Sequence, residues 1–225
     1  MPVTGVDACR RGWVAVSLDG PGTPAEVRVH ETLPGLLGGD QAAVVGVDMP
    51  LGLLGSGWRE ADRAARGLLG PRRSSVFAIP PRAVWEQASY PAASQRCREL
   101  TGQGLSIQAW GLRARLLEAD RYRGSCPHPL YEVHPELAFR AMAGAPLAHG
   151  KHTPAGRELR RELLSRAGIE LPPIPPARAP RAPVTDTLDA AAVAWSAWRI
   201  ATGWAVVIPD RPQRDDQGLQ IAIRY

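Results

Sequence analysis

Val44-Val45-Gly46-Val47-Asp48, read beside Val3-Thr4-Gly5-Val6-Asp7, decides how this chain folds. Each is a short β-branched run closed by a carboxylate. Valine favours buried sheet, and an isolated charge is costly there. An acid placed where a buried strand emerges needs a partner, and a metal ion is a common one. Two such strands predict a site built across a sheet. Residues 41–48 are apolar almost throughout, which predicts a central strand. Residues 2–7 and 12–18 read as two strands joined by the turn Ala8-Cys9-Arg10-Arg11. Residues 26–33 alternate apolar and polar and predict a third, half-exposed strand. Three hairpin-like strands followed by a buried one predict a mixed sheet rather than a doubly wound parallel one.

Helical spacing of Ala61, Ala64, Ala65 and Leu68 predicts a helix over 58–69, ended by Gly70-Pro71. Residues 72–82 read as a loop, and helices are expected over 92–100 and 107–122. A short strand is expected over 130–134, with Pro135 in the first turn of a helix ending near Met142. Thr153 fits the N-cap of a helix that runs to Arg166. Residues 172–183 are dense in proline and predict a stiff connector. Thr185 can cap a last helix from 186 to about 200, whose alanine-rich face packs closely. Residues 204–208 and 219–224 are expected to pair as final strands.

The chain has 225 residues, of which 44% are hydrophobic. That suits one large domain, or one domain with an insertion. No apolar run is long enough to span a bilayer, and no leader resembling a signal peptide is present, so a cytoplasmic protein is the simplest expectation. Cys9, Cys97 and Cys126 cannot all pair and form no C-x-x-C, so they read as reduced and outside any zinc site. The five histidines include no H-E-x-x-H. A net charge of +5 modestly favours a polyanionic partner such as nucleic acid. Lys151 is the only lysine beside many arginines. Either chance left it there, or the position wants a compact ammonium rather than a fork.

Asp7, Asp48, Glu132, Glu136, Asp186 and Asp189 are the acids in motif-like settings. Four have a plain alternative: a turn residue at Asp7, an Asx-type turn before Pro50 at Asp48, dipole compensation at Glu136 and Asp186. Asp189, which shares a helix face with Asp186, has none, because Ala190-Ala191-Ala192 follows it and it is expected to face something buried. Glu132 and His134 alternate on one strand face. Carboxylates converging from strand ends and a helix repel one another unless cations intervene. Mg²⁺ or Mn²⁺ with oxygen ligands resolves this. Two such ions about 4 Å apart can activate a water and stabilise a leaving oxygen in phosphodiester cleavage.

Gly5-Val6-Asp7-Ala8-Cys9-Arg10-Arg11-Gly12-Trp13 resembles the opening of the ribonuclease-H-like superfamily. Val47-Asp48-Met49-Pro50-Leu51-Gly52-Leu53, Arg63, the run from Arg72 to Phe77 with Pro80-Pro81-Arg82, Tyr131-Glu132-Val133-His134-Pro135-Glu136 and Asp186-Thr187-Leu188-Asp189-Ala190 resemble one branch of it. That branch is the domain of unknown function 429 family, described as predicted ribonuclease-H-like nucleases. The resemblance spans nearly the whole chain in order. It implies an α/β fold, a mixed five-stranded sheet flanked by helices, with a helical insertion over about 56–128. It places the first acid, Asp7, on strand one and the second, Asp48, on strand four. Asp186 and Asp189 match the Asp-x-x-Asp-Ala pattern of members similar to Holliday-junction resolvases. Glu132 and Glu136 match the branch's glutamate motif, with Glu132 favoured from its position at a strand end. Lys151 resembles a lysine of the branch that suits a phosphate contact.

The leading expectation is a metal-dependent nuclease. Asp7, Asp48 and Asp189 would hold Mg²⁺ or Mn²⁺, and Glu132 or Asp186 would complete the shell or orient water. Arg10, Arg11, Arg72, Arg73, Ser74 and Lys151 would contact the phosphates of DNA or RNA. A phosphotransferase or nucleotide hydrolase on the same sheet is the alternative, though the turn after Asp7 is poor in Gly, Ser and Thr and no P-loop is present. A non-catalytic scaffold, or a binder of a small anion in a closed pocket lined by residues 74–82 and the Lys151 loop, is the third reading.

Overall fold

The computed structural model describes residues 1–20, 22–172 and 183–225. The proline-rich connector expected over 172–183 therefore lies, apart from its two end residues, outside the described residues. The chain divides into two compact units. The first comprises Met1–Met49, Cys126–Val206 and Arg224–Tyr225, and the second Pro50–Ser125 and Val207–Ile223.

The first unit is built on strands β1 (Val3–Cys9), β2 (Gly12–Leu18), β3 (Glu26–His30), β4 (Val44–Asp48) and β5 (Leu130–Val133), in the order β3-β2-β1-β4-β5. Pairings β1–β2 and β2–β3 are antiparallel, while β1–β4 and β4–β5 are parallel. The two-residue turn Arg10-Arg11 allows the antiparallel β1–β2 pair, and the longer crossings to β4 and β5 go with the parallel ones. The sheet is thus the mixed α/β arrangement expected, with β1 and β4 side by side. β3 stops at His30 rather than continuing to 33. A short helix α1 (Leu33–Leu37) follows, started by Thr32, whose side chain accepts from the Gly35 N–H at 3.2 Å, with Pro34 in its first turn.

Helices α7 (Pro135–Ala143), α8 (Pro154–Arg166) and α9 (Val184–Ala201) belong to this unit. α9 lies against β1, β2 and β4, and two glycines set how near it comes. A Cβ at Gly5 would stand 2.0 Å from Ala194 N and 2.3 Å from Ala190 O. One at Gly46 would stand 2.9 Å from Val193 Cγ1. Ala190, Ala191, Ala194 and Ala197 are buried, so the alanine-rich face does pack closely. Val3, Val14, Val16, Phe139, Leu164 and Leu188 complete the core around it. α9 begins at Val184 after Pro183, with no side-chain cap, so Thr185 lies within the first turn instead of capping it.

The second unit holds α2 (Glu60–Leu69), a 3-10 helix (Gly70–Ser75), α3 (Arg82–Trp85), α4 (Tyr90–Thr101), α5 (Ile107–Gly111), α6 (Arg113–Arg123), β6 (Val207–Arg214) and most of β7 (Gln220–Arg224). The single helix expected over 107–122 breaks at Leu112, just after Gly111, a poor helix former. β6 begins at Val207 rather than 204. Trp204 is 73% exposed, whereas Trp85 is fully buried. Asp215 organises the β6–β7 turn, accepting from Gln217 and Leu219 N–H at 3.0 and 2.9 Å and meeting Arg123 at 3.2 Å. Cys9, Cys97 and Cys126 are free thiols. Among the described residues no helix is long and apolar enough to cross a membrane.

Candidate active site

Parallel pairing of β1 and β4 sets Asp7 directly opposite Asp48. β1 runs two residues beyond Asp7, so this acid sits where the β4 pairing ends rather than at the strand's tip. The β4–β5 register puts Glu132 opposite Val47, one step before Asp48. Asp7 and Glu132 are buried, and Asp48 is half-buried. α9 contributes Asp186 in its first turn and Asp189 one turn later. Asp189 is only 1% exposed and follows from the helix spacing that also buries the alanines.

Lys151, in the turn before α8, enters this group. Its Nζ donates to Asp189 Oδ2 at 2.7 Å. The other carboxylate oxygen, Asp189 Oδ1, is buried without a hydrogen-bond partner. Thr185 donates its hydroxyl to Asp186 Oδ1 at 3.1 Å.

The electrostatics report convergence. Loss of water pushes Asp7 well above the ordinary carboxylate range, and Asp48, Asp189 and Asp186 add to it. Asp48 is raised to about 8, first by burial, then by Asp189, Glu132 and Glu136. Burial also raises Asp186, with Asp189 helping and the Thr185 hydrogen bond opposing. Lys151 lowers all three acids. Burial works against the lysine's charge, yet Asp189, Asp48 and Asp7 hold it above its ordinary value. This is the pattern of a surplus of negative charge shared around too little positive charge.

The two glutamates of the Glu132–Glu136 motif are in different situations. Glu136 is ion-paired with Arg160, itself 1% exposed. Arg160 also donates to Gly156 O at 3.0 Å and His149 O at 3.3 Å, and lies over the Phe139 ring. Glu136 thus has a resident cation, and Glu132, buried on β5, adds to the negative charge felt by Asp48. Arg160 was not distinguishable in the sequence from the other arginines of 157–166, because only the packing of α8 buries it.

Arg10 and Arg11 are exposed in the β1–β2 turn, three and four residues past Asp7. Arg72, Arg73 and Ser74 lie in the 3-10 helix of the second unit.

A divalent cation is the group the resemblance implies. Among the described residues, no group of three or more His, Cys, Asp or Glu side chains is placed to hold a metal ion. The chemistry of the donors nevertheless fits a hard cation: all are carboxylates, and Asp189 Oδ1 is a buried acceptor with nothing to accept from.

No curated protein matches the chain significantly. A solved structure titled Thermus thermophilus RuvC structure is similar at 18% identity, covering 90% of this chain and 97% of that chain with a TM-score of 0.41. The family model described as Protein of unknown function (DUF429) matches residues 5–214. The chain therefore belongs to the DUF429 family.

Proposed function

We propose that this protein is a divalent-cation-dependent nuclease that hydrolyses phosphodiester bonds of DNA or RNA. The observation that carries the reading is the facing of Asp7 and Asp48 across β1–β4, with Asp189 brought alongside by α9 and one of its oxygens left without a partner. Such a group is unstable without added positive charge and has the donors that hold it.

In this reading Asp7, Asp48 and Asp189 hold Mg²⁺ or Mn²⁺, in the two-ion form of the mechanism where both sites fill. A bound divalent ion supplies Lewis acidity toward a phosphate oxygen and acidifies an attacking water. Glu132 or Asp186 would complete the shell or orient water. Glu136 stays in its pair with Arg160 and supports the wall of the site. Lys151 neutralises Asp189 in the free protein and faces the scissile phosphate in the complex. Arg10 and Arg11 meet the sugar-phosphate backbone, and Arg72, Arg73 and Ser74 are further phosphate contacts. The net charge of +5 favours approach of a polyanion.

The test is incubation of the purified protein with single-stranded, duplex and four-way-branched DNA and with RNA, in Mg²⁺ or Mn²⁺. Cleavage of at least one substrate is expected, lost in Asp7→Asn. If every substrate stays intact with both metals, the reading fails.

A further inference from the structure

The second unit contains a cavity of about 520 Å³ that the acidic cluster does not use. We infer that it binds a nucleoside monophosphate group, with the phosphate on Arg63 and Arg66 and the base against Trp58 and Phe77. All four residues line the cavity. The inference is independent of the nuclease reading, because this cavity is built within the second unit alone.

Arg59, Asp62, Arg63 and Arg66 follow one another at helical spacing from the start of α2, so they share a face. Like charges three or four apart on a helix cost stability. Asp62 relieves one of them, lying 3.5 Å from Arg59 with both side chains buried. Asp62 also accepts the Ile79 N–H at 2.8 Å, and Arg66 Nη1 donates to Val76 O at 2.7 Å. These two contacts tie the 76–79 segment to α2 and hold the cavity open in advance. Three guanidiniums against one carboxylate leave the lining positive. Arg63 reaches outward, 69% exposed, near Glu60 at 3.3 Å, a weak surface pair that an incoming anion can displace.

The volume separates ligand classes. A bare phosphate leaves most of such a cavity empty, whereas pockets of roughly 300–1,000 Å³ take ligand-sized molecules. Trp58 and Phe77 are half-buried, unlike the fully buried Trp85. Half-buried rings beside guanidiniums fit a base stacked on an aromatic face with its phosphate held by a planar fork. The same chemistry comes from a free mononucleotide or from the phosphorylated end of a strand.

Calorimetry in EDTA, with adenosine 5′-monophosphate, adenosine and a short oligonucleotide with or without a 5′-phosphate, tests this. The expected result is saturable binding of the monophosphate, at least about tenfold tighter than adenosine. Arg63→Glu, a change at an exposed position, weakens it about tenfold or more. Arg66→Ala weakens it too, with thermal melting as the check on folding. Asp48→Asn leaves it unchanged. A phosphorylated oligonucleotide binding more tightly than the monophosphate assigns the cavity to strand ends, and the reverse order assigns it to free nucleotides. The inference is overturned if neither phosphorylated probe binds at about 1 mM, if adenosine binds as well as its monophosphate, or if binding survives Arg63→Glu. Loss of binding in Asp48→Asn instead would move the nucleotide to the acidic cluster and equally overturn it.

Discussion

Lys151 Nζ lies 2.7 Å from Asp189 Oδ2, and the same ammonium lowers Asp7, Asp48 and Asp186. Its removal leaves Asp189 buried with neither oxygen satisfied by that cation. Lys151→Met should therefore lower stability in EDTA by about 1–3 kcal/mol, less than a fully buried pair because the lysine side chain is 38% exposed. Added Mn²⁺ should restore more of the lost melting temperature in this variant than it adds to the wild type. Equal shifts in the two proteins would show that the lysine and the metal do not serve the same acids. Arg160 makes a contrasting case, since it neutralises Glu136 from full burial. Arg160→Met should cost about 3–5 kcal/mol in a denaturant melt, with no rescue by divalent cations. Glu132→Gln should instead weaken Mn²⁺ binding measured by calorimetry, while Glu136→Gln leaves it nearly intact.

α9 carries Asp186 and Asp189 on the helix whose alanines press on β1 and β4. Position and packing are therefore one problem. A methyl at Gly5 meets Ala194 N and Ala190 O, which are backbone atoms of that helix and cannot turn aside. Gly5→Ala should destabilise by about 3 kcal/mol or more and displace Asp189 from the cluster, seen as lower melting temperature together with lost metal affinity. Gly46→Ala meets chiefly the Val193 and Val133 side chains, at 2.9 and 3.1 Å, and should cost less. If Gly5→Ala melts like the wild type, α9 is not seated where the close approach puts it.

Across the molecule, the acidic cluster gives stability an unusual pH dependence. Asp48 has an ordinary value of 3.8 and is raised to about 8 in the fold. Between those limits the folded chain keeps a proton that the unfolded chain releases. Stability in EDTA therefore falls as pH rises through that window, by up to about 1.4 kcal/mol per pH unit for one group. Asp7 shifts in the same direction and adds to the trend. The upward shift of Lys151 acts only at alkaline pH, outside the window. Melting curves from pH 4 to 8 should show the decline, and Asp48→Asn or a bound divalent cation should flatten it. A flat profile in the metal-free wild type would mean that the carboxyls are better hydrated than their burial indicates.

Much of this was readable before any fold was seen. A β-branched run ending in an acid states both its burial and the cost of its charge, so Asp7 and Asp48 were visible as members of a sheet-borne site. Helix periodicity paired Asp186 with Asp189, and turn chemistry bounded most elements around them. What local pattern could not carry was contact between distant segments. Asp7 meets Asp48 because a parallel pairing joins strands about forty residues apart. Glu136 is distinguished from Glu132 by Arg160, which is one arginine among several until α8 packs. Lys151 stood out by composition, but its hold on Asp189 spans 38 positions of chain. The Trp58–Arg66 cavity likewise needs the 76–79 segment folded back upon α2. Local sequence sets which side chains must seek partners, and long-range packing selects the partners they find.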